Sequence, residues 1–80
     1  MENRIKQVMA AVFEVDVSEI DDNSSPDTID QWDSLKHMNL ILALEEEFEV
    51  RFDDEDIMNM ITFESIFSIL KNKMEKNKET

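Results

Sequence analysis

The chain of 80 residues has no cysteine, no glycine and no tyrosine, and a single proline, Pro26. Without cysteine, disulfides, thiolate metal sites and cysteine nucleophiles on the chain itself are excluded. Without glycine there can be no glycine-rich phosphate loop, and folds built from tight hairpins are disfavoured. Bases are scarce as well: eight Lys and Arg stand against twenty Asp and Glu, for a net charge of -12. Such a surface repels nucleic acid and anionic membranes and attracts basic partners. No apolar run approaches the roughly 18 residues of a membrane span. The opening stretch MENRIKQVMAAVF carries Glu2, Arg4 and Lys6 among its apolar residues, which is not the pattern of a secretory leader. A cytoplasmic monomer with no nucleic-acid partner and no membrane span is expected.

What is present suffices for a folded unit. An apolar fraction of 41% is ordinary for a globular domain, and this length fits one domain over 1–80. With nothing to staple it, that domain must bury nearly all its large apolar side chains. Ile5, Val8, Met9, Val12 and Phe13 recur at helical spacing and predict a first amphipathic helix, opened by Glu2 or Asn3. After Glu14 the pattern dissolves into VDVSEIDDNSSPDTIDQWD, where Asp, Asn, Ser and Pro26 disfavour regular structure. Val15, Val17, Ile20 and Ile29 recur there singly and are expected to pin this long connection to the core. Ordered loops of such length are more often functional than accidental.

SLKHMNLILALEEEF, residues 34–48, holds no breaker and predicts a second helix, capped by Asp33 or Ser34. A short acidic-capped third helix follows from Asp53, Asp54, Glu55 and Asp56 into Ile57, Met58, Met60 and Ile61. Thr62 opens a last helix with Phe63, Ile66, Phe67, Leu70 and Met74 inward, and Lys71, Lys73, Lys76 and Lys78 at its C-terminal end, where the dipole favours cations. The expected fold is all-α: three longer helices, one short third helix, and a long loop between the first two. Residues 16–70 hold sixteen acids against Lys36 and Arg51, a local balance of -14, so the acidity belongs to the middle of the chain.

The second helix has one apolar stripe too many. At about 100° per residue, Leu40, Ile41, Leu44 and Phe48 share a core stripe with His37 at its margin, while Leu35 and Leu42 form another about 150° away. Asn39 and Glu46 flank the second stripe, and Met38 and Glu45 lie between the two. Either this stripe packs beneath the long loop, or it is a docking surface on which leucines make contact and carboxylates steer a basic partner.

Trp32-Asp33-Ser34-Leu35, followed by LILALEEEF, resembles the Asp-Ser-Leu motif and second helix of acyl carrier proteins, and the likeness extends over nearly the whole chain. It implies a four-helix carrier bundle without catalysis of its own. Ser34 would be esterified by the 4'-phosphopantetheine moiety of coenzyme A, through a separate phosphopantetheinyl transferase, and the arm's thiol would hold an acyl group as a thioester. Asp33 and Leu35 flank the attachment point, with Asp33 orienting it and meeting the transferase. Leu35, Leu42, Glu45, Glu46 and Asp54 fall where the family's partner-docking residues lie, and Met58 stands where an acid is common. The resemblance thus tips the second stripe toward docking, to acyl-loading and acyl-processing enzymes with basic patches. It also implies service to fatty-acid, polyketide or other specialised lipid biosynthesis, the Trp-Asp-Ser-Leu form being more like the specialised carriers. A methionine-rich interior could part to sheathe an acyl chain.

Three departures stand out: Gln31 replaces a glycine two residues before Asp33, Glu49 replaces the glycine that commonly closes the second helix, and Phe52-Asp53-Asp54-Glu55 replaces an Ile-Pro-Asp-Glu opening. Metal binding is a poor rival. A calcium loop begun at Asp21 would place Pro26 where glycine is needed and Trp32 where glutamate is needed. His37 is the sole histidine, so no histidine pair exists for zinc, and a Ser34/His37 dyad lacks an orienting group. The alternative from another class is an acidic helical adaptor for basic proteins, with no prosthetic group.

Overall fold

A computed structural model describes residues 2–78. Among the described residues there are four α-helices and no strand: α1 (Glu2–Phe13), α2 (Ser34–Phe48), α3 (Asp54–Asn59) and α4 (Phe63–Lys78). The all-helical expectation holds, with the short helix third. The long connection contains one element that its composition hid, a single 3-10 turn at Val17–Glu19. It is held where the Asp16 amide donates to Glu19 Oε2 at 2.9 Å.

The three longer helices bury the centre of the stripe that their periodicity requires, whereas α3 has no buried residue. Ile5, Met9 and Phe13 of α1 meet Leu40, Ile41, Leu44 and Phe48 of α2 and Phe63, Ile66 and Leu70 of α4, and all are buried. Each such side chain contributes roughly 1.5–3 kcal/mol when fully withdrawn from water. The connections fill what the helices leave open, through Ile20, Ile29, Trp32, Val50, Phe52 and Met60. Ile20 and Ile29 pin the long loop as expected, whereas Val15 only leans on the core and Val17 is exposed. The 3-10 turn presents Val17 outward, which single-residue hydrophobicity could not reveal. A second tie is made by backbone: the Phe63 amide, at the start of α4, donates to the Ser24 carbonyl at 3.0 Å.

Absent glycine has a visible consequence. Both α1 and α2 end in the left-handed turn that glycine normally supplies, and glutamate occupies it in each: Glu14 at φ 60° and Glu49 at φ 55°. The following amides close the turns, Val15 N–H to Ala10 O at 3.1 Å and Val50 N–H to Glu45 O at 3.2 Å. These 6→1 bonds define Schellman closures. A residue with a Cβ is strained in that conformation.

α3 is held largely from outside itself. Asp53 and Asp56 cap each other's amides, and Lys73 of α4 reaches Asp56 at 2.7 Å and Asp53 at 4.0 Å. Partial burial alone would raise the Asp56 carboxyl, but the Lys73 hydrogen bond and the Asp53 amide outweigh it and hold the group below its ordinary 3.8. The Asp56 hydrogen bond, against some desolvation, lifts the Lys73 ammonium above its ordinary 10.5. Lys73 therefore works through a specific partner in addition to the helix dipole. The side chains of Lys76 and Lys78 lie outside the described residues.

Glu49→Gly should raise the unfolding free energy by about 1 kcal/mol, since strain relief exceeds the added unfolded-state entropy. Glu14→Gly should gain less because it also removes the Glu14–Lys36 ion pair. Urea midpoints at constant m-value check both. Asp56→Asn should cost about 0.5–1 kcal/mol at neutral pH. Because the folded carboxyl lies below 3.8, its contribution is complete above that value and fades as pH falls through the lowered one. The stability gap between wild type and variant should therefore close on acidification, and a gap independent of pH would contradict the assignment.

Candidate functional site

The site is built outward from Trp32. Its ring is 4% exposed and packs on Phe13 with centroids 5.0 Å apart. The turn around it is closed by Trp32 N–H to Ile29 O and Asp33 N–H to Gln31 O, each at 3.0 Å. Asp33 then caps α2: its Oδ1 accepts the Lys36 amide at 2.8 Å. The choice between Asp33 and Ser34 as cap is thus settled in favour of Asp33. Ser34 becomes the first helical residue, with an exposed side chain at the positive end of the α2 dipole. Its hydroxyl has no hydrogen-bond partner among the described residues.

His37 sits one turn further on and is spoken for. The Trp32 indole N–H donates to His37 Nδ1 at 3.0 Å, and His37 Nε2 lies 3.0 Å from the Ile57 carbonyl of α3. An indole can only donate, so Nδ1 accepts and Nε2 carries the proton that goes to Ile57. With both ring nitrogens engaged, His37 is no general base for Ser34. The arrangement is a point of attachment and lacks the base that a serine nucleophile needs.

Beside Ser34 runs an open groove of about 490 Å³, lined by Pro26, Trp32, Asp33, His37, Met38 and Ile61. The second stripe of α2 does not pack under the loop: Leu35 is 70% exposed and Leu42 60%, and Met58 of α3 is 76% exposed. Met38 and Ile61 are exposed alongside them, two members of this apolar surface that the sequence reasoning left out. Their signal was available, since Met38 lies next to Leu42 on the helical wheel. Glu46 and Asp54 are exposed as well. Glu45 behaves differently. It is half-buried, and its Oε2 accepts the Phe52 amide at 2.9 Å, so its carboxylate secures the turn between α2 and α3. The Trp32–His37 pair was also missed; its only trace in the sequence is two aromatic rings placed five residues apart across a helix cap.

The family model described as "Phosphopantetheine attachment site" matches residues 3–68. An acyl carrier protein of Buchnera aphidicola subsp. Schizaphis graminum is 32% identical over 76 residues, covering 95% of this chain and 96% of the relative. One of Petrotoga mobilis is 32% identical over 72 residues, covering 89% and 84%. Among solved structures, the holo acyl carrier protein of Geobacter metallireducens superposes with a TM-score of 0.87 at 26% identity, covering 98% of this chain and 90% of that one. The chain belongs to the acyl carrier protein family, whose members are non-catalytic carriers with 4'-phosphopantetheine as prosthetic group.

Two roles for Glu45 can be separated. Glu45→Ala should cost about 1 kcal/mol, because the Phe52 amide loses its acceptor. Glu45→Gln keeps an acceptor oxygen and should retain most of that stability. Urea denaturation of the two variants checks this, and equal losses would mean that the charge, not the hydrogen bond, matters.

Proposed function

We propose that residues 1–80 form one monomeric, cytoplasmic carrier domain that holds acyl groups as thioesters on a 4'-phosphopantetheine arm joined to Ser34. It would serve fatty-acid, polyketide or other specialised lipid biosynthesis. The observation that carries this reading is the exposed Ser34 side chain on the first turn of α2, at the rim of a groove and without a neighbouring base, since both nitrogens of His37 are engaged. These residues fit the group. A phosphodiester at Ser34 Oγ would place its anion at the helix N-terminus, where the dipole favours it by about 0.3–1 kcal/mol. The arm would supply the thiol that the cysteine-free chain lacks.

The chain's own residues do the positioning. Trp32 fixes where α2 begins, Asp33 caps it and turns a carboxylate toward an approaching transferase, and Leu35 stands exposed on the next position. Because His37 is engaged elsewhere, the Ser34 proton must leave to a base on the transferase. Leu35, Leu42 and Met58 offer an apolar contact face, and Glu46 and Asp54 offer carboxylates to basic patches on acyl-loading and acyl-processing enzymes. Charge steering of this kind speeds association without tight retention, which suits a carrier that must leave each enzyme it visits.

Incubation with coenzyme A and a phosphopantetheinyl transferase, followed by intact-mass measurement, should show one added arm on the wild type and none on Ser34→Ala. No added mass with several competent transferases would favour the adaptor reading instead.

A further inference from the structure

Residues 16–70 hold only two bases, Lys36 and Arg51, and the fold treats them differently. Lys36 is tied down: its Nζ lies 3.3 Å from Glu14 Oε2 at the end of α1. Arg51, in the turn between α2 and α3, is exposed and enters no ion pair among the described residues. Acids are nonetheless close by. An open groove of about 430 Å³ brings Arg51 together with Leu42, Glu45, Glu46, Glu49 and Val50. Glu45 is committed to the Phe52 amide, whereas Glu46 and Glu49 are exposed. Leu42 is an exposed apolar contact of the proposed docking face, so this end of the face is dipolar: it sets a cation beside two carboxylates and a leucine. A partner patch made of Lys and Arg alone would satisfy Glu46 and Glu49 but hold a like charge against Arg51. Juxtaposed like charges are a means of rejecting partners. At a separation of about 6 Å in water, one such charge pair changes affinity roughly threefold.

We propose that Arg51 is a specificity-determining residue of the docking face, and that the partner it fits is an enzyme whose patch carries a carboxylate opposite Arg51. That carboxylate sits among the bases that meet Glu46 and Glu49, beside an apolar side chain that meets Leu42. A planar guanidinium holds a carboxylate through two parallel hydrogen bonds, so the pair fixes register as well as sign. Enzymes with uniformly basic patches are disfavoured at this end of the face. The inference rests on the docking reading of Leu42 and Glu46 and is independent of the arm at Ser34.

The test uses helical peptides of one length and one leucine spacing as the partner patch: one with Lys at every charged position, the others with a single Glu replacing each Lys in turn. Each is titrated into the full chain at low ionic strength, and the amide shifts of Leu42, Glu46 and Met58 report affinity. Arg51→Glu should bind the all-Lys peptide about tenfold tighter than the wild type does, because the charge is reversed, and Arg51→Met about threefold tighter. The Glu-bearing peptide that the wild type binds best should gain nothing from either substitution. Lys71→Glu makes the same change in net charge from an exposed position on α4, and should affect all the peptides alike and by less. High salt should erase the differences. Arg51 variants that treat every peptide as Lys71→Glu does would overturn the inference while leaving the docking reading in place. If no peptide shifts Leu42 or Met58 in any of the proteins, the docking reading itself fails. The peptide-free spectra report the folding of each variant directly.

Discussion

Trp32 packs its ring on Phe13 and donates its indole N–H to His37, and the placement of nearly everything that faces a partner depends on this contact. It is the point at which a long, acidic, glycine-free connection stops wandering. Once the ring is buried, Asp33 must fall at the cap of α2, Ser34 on its first turn, and Leu35 outward. A loop ending in a polar residue at position 32 could begin α2 a residue early or late. A shift of that size would turn Ser34 by about 100° around the helix. The indole therefore does for register what a fixed turn would do, and does it with burial. Roughly 3–5 kcal/mol typically depends on a buried ring of this kind, a large share of the stability of a domain this small.

The few bases of the chain are spent in a pattern that sharpens its acidity. Arg4 pairs with Glu47 and stacks over Phe48, Lys36 pairs with Glu14, and Lys73 with Asp56. Glu46 and Asp54 enter no ion pair among the described residues, although Arg51 lines a groove with Leu42 and Glu46. Exposed pairs contribute little to stability. Their larger effect here is to decide which carboxylates remain free.

Much of this was legible in the sequence, and the limits have physical causes. The helical stripes of α1, α2 and α4 follow from a 3.6-residue period, and the surplus stripe at Leu35 and Leu42 was visible because a small core cannot bury two opposite faces of one helix. The wheel could say that Glu45 lies between the stripes, but not that its carboxylate turns in toward the Phe52 amide, since the partner belongs to another segment. Glu49 had a trace, since it stands where the resemblance puts a helix-closing glycine, but Glu14 had none: nothing marks that glutamate as taking a glycine's conformation until the Schellman bond at Val15 is seen. The hydrogen bonds from Trp32 to His37 and from His37 to Ile57 failed to appear for the same reason as Glu45. They join a loop, a helix and a second helix, and only the Trp32–His37 half is local.

The six residues of α3 could not hold a helix alone, because nucleation costs more than so few bonds return. The helix is sustained at both ends by neighbours: Lys73 grips Asp53 and Asp56 at its start, His37 grips the Ile57 carbonyl in its last turn, and Met60 just beyond is fully buried. Tethers at both ends leave no free hinge, so α3 must move by losing one of them. Loss at the Lys73 end would release charge into solvent, whereas loss at the His37 end would leave the half-buried His37 Nε2–H without its acceptor, the Ile57 carbonyl keeping the Met60 amide. The weaker end is the charged one. A partner bringing a basic group to Asp53 or Asp56 would compete with Lys73 there, loosening α3 from its start while the His37–Ile57 contact still holds its last turn.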